Sequence, residues 1–170
     1  MKTLVAGVGN IFLGDDGFGV EVARRMARDP ARDGVRVADY GIRGLHLAYE
    51  LMDGYDVLIL VDAVDRGGVP GTLYVIEPEP AGETPGEAAG PVDGHDLTPE
   101  AVLRMLASLG GELGRVLVVG CQAGDVGEGI GLSPPVARAV DDAAGVVREL
   151  LDGLRRETTG KAGPPCSRRF

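Results

Sequence analysis

A glycine-rich loop near the start of the chain carries two adjacent carboxylates. The loop spans residues 7–17 and reads GVGNIFLGDDG, with Asp15 and Asp16 near its end. Gly9 and Gly14 have the spacing of a phosphate-binding loop, but that loop carries Lys and Ser or Thr where this chain has the two acids. The local charge is therefore inverted, and the sequence predicts a site for a cation or a proton.

Two further candidate ligands lie later in the chain. Asp62 directly follows five consecutive apolar residues, and His95 ends a segment rich in Pro, Gly and Glu. Together with a carboxylate of the first loop, these side chains offer two oxygens and one nitrogen. Such a set suits a divalent metal of intermediate hardness and leaves positions open for water or substrate. The His-Glu-x-x-His motif of many zinc proteases is absent from the sequence.

Alternating apolar runs and amphipathic segments predict the elements that must position these residues. Strands are predicted over residues 2–8, 35–39, 57–61, 73–76 and 116–120, and helices over 18–28, 45–52, 99–109 and from Ser133 to about 154. The side chain of Ser133 is expected to cap this last helix. The connection 63–72 is too short and too rich in Gly and Pro for a crossover helix, so the strand after it is predicted to run antiparallel. The pattern predicts a three-layer α/β/α sandwich with a mostly parallel sheet of about five strands.

This fold would bring the candidate residues to one edge. Ligands of open α/β sheets bind at the carboxyl ends of the strands. Asp15 and Asp16 follow the first strand, Asp62 follows the third, and His95 is in a loop that can return to the same edge. We therefore expect the three segments to converge there.

Several of these residues also have purely structural interpretations. One of Asp15 and Asp16 is expected to cap the following helix and complement its dipole. His46, near the start of a predicted helix, is expected to be a surface or packing residue. Cys121 is expected to be a core residue at a strand end, because no histidine is adjacent to it in sequence.

A dinucleotide-binding site is the main rival interpretation of the first loop. Gly7 and Gly9 after the first strand, with Asp39 at the end of the second, imitate that fingerprint. Phe12 occupies the third glycine position, however, and the two carboxylates lie where pyrophosphate would bind. We therefore reject this interpretation.

Composition limits the classes that remain. The chain has 170 residues, 44% of them apolar, a net charge of −9 and two cysteines without a metal-binding pattern. This predicts one domain over residues 1–155, a disordered tail over 156–170 and reduced thiols. The negative charge disfavours nucleic acid and anionic membranes as partners. The N-terminal apolar run is too short for a signal peptide, so a cytoplasmic location is expected.

The motifs of the chain resemble those of the hydrogenase maturation proteases, endopeptidases that trim the C-terminus of the large subunit of nickel-iron hydrogenases. The matching segments are Gly7-Val8-Gly9-Asn10, Gly14-Asp15-Asp16-Gly17-Phe18-Gly19, Val61-Asp62-Ala63, Pro70-Gly71-Thr72, His95 and Gly131-Leu132-Ser133. The resemblance implies an α/β/α fold. It also implies that Asp16, Asp62 and His95 bind nickel already inserted in the substrate.

The sequence and the resemblance together predict an endopeptidase that acts on the nickel-loaded large-subunit precursor and removes its C-terminal extension. Asp16, Asp62 and His95 would hold the ion while a water, activated by the metal or by a carboxylate, attacks the peptide. Nickel is expected to come with the substrate, and none is expected to be tightly bound in the resting protein. The alternatives are a nickel-sensing or carrier protein that binds the precursor without cutting it, and a metal-independent peptidase of the same fold.

Overall fold

A five-stranded sheet with helices on both faces forms the body of the protein. The computed structural model describes residues 1–78 and 99–160. The strands are β1 (Thr3–Val8), β2 (Val35–Gly41), β3 (Val57–Val64), β4 (Leu73–Ile76) and β5 (Arg115–Gln122). The helices are α1 (Phe18–Met26), α2 (Gly44–Leu51), α3 (Pro99–Ser108) and α4 (Pro134–Thr158), and a short 3-10 turn, Gly14–Gly17, precedes α1.

The strand order is β2-β1-β3-β5-β4. β1 pairs in parallel with β2 and β3, β3 pairs in parallel with β5, and β4 runs antiparallel to β5. This arrangement confirms the predicted mostly parallel sheet with one antiparallel strand. The three-layer α/β/α prediction is confirmed as well.

Helices cover the sheet on both sides, which explains the apolar run of β3. Residues 57–61 are all buried, because alternate side chains pack into different layers. Ile59 and Val61 pack with α1 and α4, whereas Leu58 and Leu60 pack with α2 and α3. The central strand is thus apolar on both faces.

Two of the boundaries that differ from the sequence prediction concern Asp62 and the predicted tail. β3 continues to Val64, because β5 extends to Gln122 and pairs with the extra residues. Asp62 therefore lies within the strand, opposite Gly120, and the prediction that the strand ends before it was wrong. α4 continues to Thr158, so its last turn includes residues assigned to the predicted tail. Residues 161–170 lie outside the described residues, and disorder there stays a prediction.

The α-helices that the structure describes range from 8 residues in α2 to 25 residues in α4. Within residues 1–78 and 99–160, none has the length and apolar character that a membrane span needs.

Candidate active site

The start of α1 packs unusually closely on the carboxyl ends of β1 and β3. A methyl group at position 19 would overlap the carbonyl oxygens of Val61 and Val8, and one at position 7 would overlap the carbonyl oxygen of Gly19. Only glycines allow this approach of helix backbone to strand backbone. The consequence is that the turn before α1, with its two acids, lies against the edge where β3 carries Asp62.

Asp15 is a fully buried carboxylate that accepts four hydrogen bonds. Its Oδ2 accepts from the backbone N–H of Gly124 at 2.8 Å, the backbone N–H of Asp125 at 2.9 Å and the hydroxyl of Ser133 at 2.8 Å. Its Oδ1 accepts from the backbone N–H of Ser133 at 2.6 Å. Burial alone would raise the pKa of Asp15, but these donors outweigh it and lower the pKa.

This geometry corrects two expectations about helix caps. One of Asp15 and Asp16 was expected to cap α1, but Asp15 instead binds Ser133, the N-cap residue of α4. Ser133 was expected to cap α4 with its own side chain. Its hydroxyl donates to Asp15 and makes no cap hydrogen bond within α4. The negative charge of Asp15 thus lies near the N-terminus of a 25-residue helix, where it is stabilising.

Asp16 is half-buried and is held by its own loop. Its Oδ2 accepts a 2.6 Å hydrogen bond from the backbone N–H of Asn10, whose side-chain oxygen accepts from the N–H of Phe12 at 3.0 Å. Gly9 has a φ of 122°, and a methyl group there would overlap the carbonyl oxygen of Asp16. The glycine therefore lets the loop fold back onto the turn that carries Asp16.

Asp62 lies in an environment that disfavours its charge. Burial and the negative charge of Asp16 raise the pKa of Asp62 to about 8, and a hydrogen bond from the backbone N–H of Ala63 offsets this only in part. The structure thus brings Asp16 and Asp62 together, as the sequence predicted. At neutral pH Asp62 therefore keeps its proton, and a cation placed beside it would favour its charged form.

His95 lies outside the described residues, so its predicted convergence with the pair stays a prediction. Within the described ranges, 1–78 and 99–160, no cluster of three or more His, Cys, Asp or Glu side chains has the geometry to hold a metal ion. His46 is exposed on α2, as expected for a surface residue. Cys121 is buried in β5, and burial together with the charge of Asp15 raises the pKa of its thiol to about 11.

A buried glutamine, which the sequence reasoning missed, orders the loop after β3. The side-chain oxygen of Gln122 accepts from the backbone N–H groups of Arg66 and Gly68 at 2.8 and 3.1 Å. Its amide nitrogen donates to Asp65 Oδ1 at 3.1 Å. In the sequence, the position of Gln122 directly after the apolar residues of β5 could have indicated this role. The glutamine fixes the segment that follows Asp62 against β5.

Three large apolar side chains are exposed on the loops beside the acidic pair. Phe12 in the first loop is 61% exposed, and Val126 and Ile130 in the loop between β5 and α4 are 55% and 81% exposed. Backbone hydrogen bonds of 2.9 and 3.0 Å join Gly129 to Phe12 and Gly14, which ties the two loops together. Where such side chains form one contiguous patch, the patch is typical of a surface that contacts another polypeptide.

The geometry defines a class: an α/β protein with two coupled carboxylates at the carboxyl edge of its sheet and apolar loops beside them. A family model described as HycI, hydrogenase maturation protease, matches residues 20–149. The chain belongs to the hydrogenase maturation protease family, and its activity is that of a protease.

Individual relatives agree with this assignment. The hydrogenase expression/formation protein HupD of Rhodobacter capsulatus is 35% identical over 152 residues, which cover 88% of this chain and 71% of that protein. The hydrogenase maturating endopeptidase HybD of Escherichia coli superimposes with a TM-score of 0.70 at 26% identity, covering 92% of this chain and 94% of that one. A hydrogenase 2 maturation peptidase from a Thaumarchaeota archaeon gives a TM-score of 0.68 at 30% identity, covering 89% and 99%.

Proposed function

We propose that this protease recognises the nickel-loaded precursor of a nickel-iron hydrogenase large subunit in the cytoplasm and removes its C-terminal extension. The observation that carries the proposal is the acidic pair Asp16 and Asp62, in which burial and the negative charge of Asp16 raise the pKa of Asp62 to about 8. The names of the relatives, which are hydrogenase maturation enzymes, supply the substrate class.

The acidic pair suits a cation that arrives with the substrate. A divalent ion near Asp16 and Asp62 would displace the proton of Asp62 and offset the repulsion between the two carboxylates. Before the precursor docks, the proton on Asp62 prevents repulsion between the two side chains. We therefore propose that the resting enzyme needs no tightly bound metal. His95 is proposed as the third ligand on the family resemblance. Nickel is thus treated as part of the substrate.

The same residues supply chemistry for peptide hydrolysis. Once the cation of the substrate has displaced the proton of Asp62, its carboxylate is free to accept a proton from an attacking water. Asp16 holds its position through the hydrogen bond from Asn10 and keeps the local field negative. Nickel, when the precursor brings it, would act as a Lewis acid toward the water or the peptide carbonyl.

The apolar loops give the precursor a surface to contact. Phe12, Val126 and Ile130 are exposed on the two loops that hydrogen bonds join at the turn of Asp16, so a polypeptide that reaches this turn can contact them. Burying such side chains would contribute binding free energy at about 25 cal/mol per Å² of apolar surface. The net charge of −9 disfavours nucleic acid and anionic membranes as alternative partners.

Mass spectrometry of the precursor tests the proposal. Purified large-subunit precursor from the same cell, loaded with nickel or free of it, is incubated with the enzyme and its mass is measured. We expect loss of a C-terminal peptide from the loaded sample alone. Cleavage of both samples would favour a metal-independent peptidase. Binding of the loaded precursor with no cleavage would favour a carrier and overturn the proposal.

A further inference from the structure

The buried carboxylate of Asp15 joins two loops that are more than 100 residues apart in the chain. It is fully buried, and it accepts hydrogen bonds from Gly124, Asp125 and Ser133 at 2.6 to 2.9 Å. All of these donors belong to the segment between β5 and α4. The chemistry proposed above uses Asp16 and Asp62 and leaves this group without a role.

Backbone hydrogen bonds extend the same connection on both sides of Asp15. The N–H of Asp15 donates to the carbonyl of Asp125 at 2.8 Å, and the N–H of Gly14 donates to the carbonyl of Gly129 at 3.0 Å. The N–H of Gly129 in turn donates to the carbonyl of Phe12 at 2.9 Å. The 3-10 turn that carries Asp16 is therefore anchored to the second loop, and Asp15 is the buried charged group at the centre of this anchor.

We propose that Asp15 is a positioning residue for the cleavage reaction. Its carboxylate fixes the turn Gly14–Gly17 against the loop before α4 and thereby keeps Asp16 in place beside Asp62. The inference rests on the proposed function for its consequence in catalysis. Its structural part, that the carboxylate of Asp15 orders both loops, is independent of the substrate.

The hydrogen-bond pattern requires a carboxylate at this position. Oδ1 faces the N–H of Ser133, and Oδ2 faces the N–H groups of Gly124 and Asp125. An asparagine has the same shape, but in either orientation its NH2 group would face a backbone N–H. One backbone donor is then left without an acceptor if the NH2 group faces Ser133, and two if it faces Gly124 and Asp125, so Asp15→Asn preserves the volume and breaks the anchor.

Four variants separate positioning from general stability. Asp15→Asn breaks the anchor, and Ser133→Ala removes only the hydroxyl donor, whereas Ser133→Thr retains it. Asp29→Asn is the matched control, because the carboxylate of Asp29 accepts hydrogen bonds from Arg148 of α4 at 2.7 and 3.2 Å, beyond the far end of α1. Each variant is compared by kcat and KM on nickel-loaded precursor, by melting temperature, and by deuterium uptake of peptides covering residues 9–17 and 124–133.

We expect Asp15→Asn to lower kcat by tenfold or more with a smaller change in KM, since displacing a catalytic group by about 1 Å can cost on the order of 100-fold. Deuterium uptake should rise in both loops and stay unchanged in β1 and β3. Ser133→Ala should show a weaker form of both effects, and Ser133→Thr should match wild type. Asp29→Asn should lose melting temperature with kcat unchanged.

Unchanged kcat in Asp15→Asn would overturn the proposal, as would a fall in kcat with both loops still protected from exchange. The proposal would also be overturned if kcat of Asp29→Asn fell in proportion to the loss of melting temperature. If wild-type enzyme cleaves no precursor, the proposed function fails. In that case the deuterium exchange data still test whether Asp15 orders the two loops. Unchanged protection of both loops in Asp15→Asn would contradict this ordering role.

Discussion

Asp15 and Asp62 lie at the same edge of the sheet, yet their surroundings affect them in opposite ways. Four hydrogen-bond donors surround Asp15 and lower its pKa, whereas burial and the charge of Asp16 raise the pKa of Asp62 to about 8. Because the two pKa values shift in opposite directions, burial of a carboxylate does not by itself indicate a functional role. The carboxylate of Asp15 has four hydrogen-bond donors and joins two loops. The charged form of Asp62 is disfavoured, so that a cation or a proton taken from a reacting group would stabilise this residue.

The largest effect that we expect is the loss of cleavage activity when Asp62 is replaced. Asp62→Asn removes the carboxylate that would act as base or ligand, and we expect cleavage of the loaded precursor to fall by about 1000-fold. The variant should fold normally, because a neutral amide replaces a group whose charge is disfavoured. Cleavage rates with a circular dichroism melt of the same sample check both parts. Cleavage at the wild-type rate would remove Asp62 from the mechanism.

Truncating Asp15 should lower stability in addition to its effect on kcat. Asp15→Ala leaves the N–H groups of Gly124, Asp125 and Ser133 without their acceptor in a buried place. We expect the free energy of unfolding to fall by about 3 kcal/mol, measured by urea denaturation. A loss below about 0.5 kcal/mol, typical of surface sites, would contradict the structural role assigned to this carboxylate.

The contact that brings the acids together can be disturbed without touching either one. Gly19→Ala would place a methyl group against the carbonyl oxygens of Val61 and Val8 and push α1 away from the sheet. We expect a loss of about 2 kcal/mol in the free energy of unfolding, as for other overpacked sites, and a lower cleavage rate. Gly145→Ala is the matched control in α4, because a methyl group there meets nothing within 4 Å.

The raised pKa of Asp62 also predicts a dependence of stability on pH. Because the folded pKa of about 8 lies above the unfolded value near 4, the folded state retains a proton that the unfolded state loses as pH rises. The free energy of unfolding of wild type should therefore fall relative to Asp62→Asn between pH 5 and 8, by at most about 1.4 kcal/mol per pH unit. Urea melts of both proteins across this range measure the difference, and parallel curves would contradict the raised pKa.

The smallest expected effect concerns the thiol near Asp15. Cys121 is fully buried, and its thiol pKa is raised to about 11, so little thiolate forms at neutral pH. Iodoacetamide at pH 7.5 should leave the cleavage rate of the folded enzyme unchanged. Inactivation that Cys121→Ala prevents would show that the thiol is accessible and takes part.

Much of the fold was predictable, because it depends on local patterns. The apolar run over 57–61 predicts a strand covered on both faces, and the short connection rich in Gly and Pro over 63–72 predicts the antiparallel direction of β4. The end of β3 was not predictable from its own residues. Asp62 stays in the strand because β5, more than 50 residues later, pairs with it.

The roles of the two adjacent acids could not be separated from sequence. Asp15 and Asp16 are neighbours in the same turn, and the donors that satisfy Asp15 come from residues 124, 125 and 133. The pKa of Asp62 likewise depends on how closely α1 packs through Gly19. Residue types indicated an acidic site, whereas the assignment of each carboxylate required its long-range contacts.

Nickel X-ray absorption tests directly whether Asp16 and Asp62 contact the nickel ion of the substrate. Nickel-loaded precursor is measured alone, mixed with wild-type enzyme and frozen before turnover is complete, and mixed with Asp62→Asn. If Asp16 and Asp62 contact the ion of the substrate, the nickel should gain oxygen ligands in the wild-type complex, with fewer gained in the variant. An unchanged nickel spectrum in a wild-type complex that still goes on to cleave would contradict the assignment of this acidic pair to the metal.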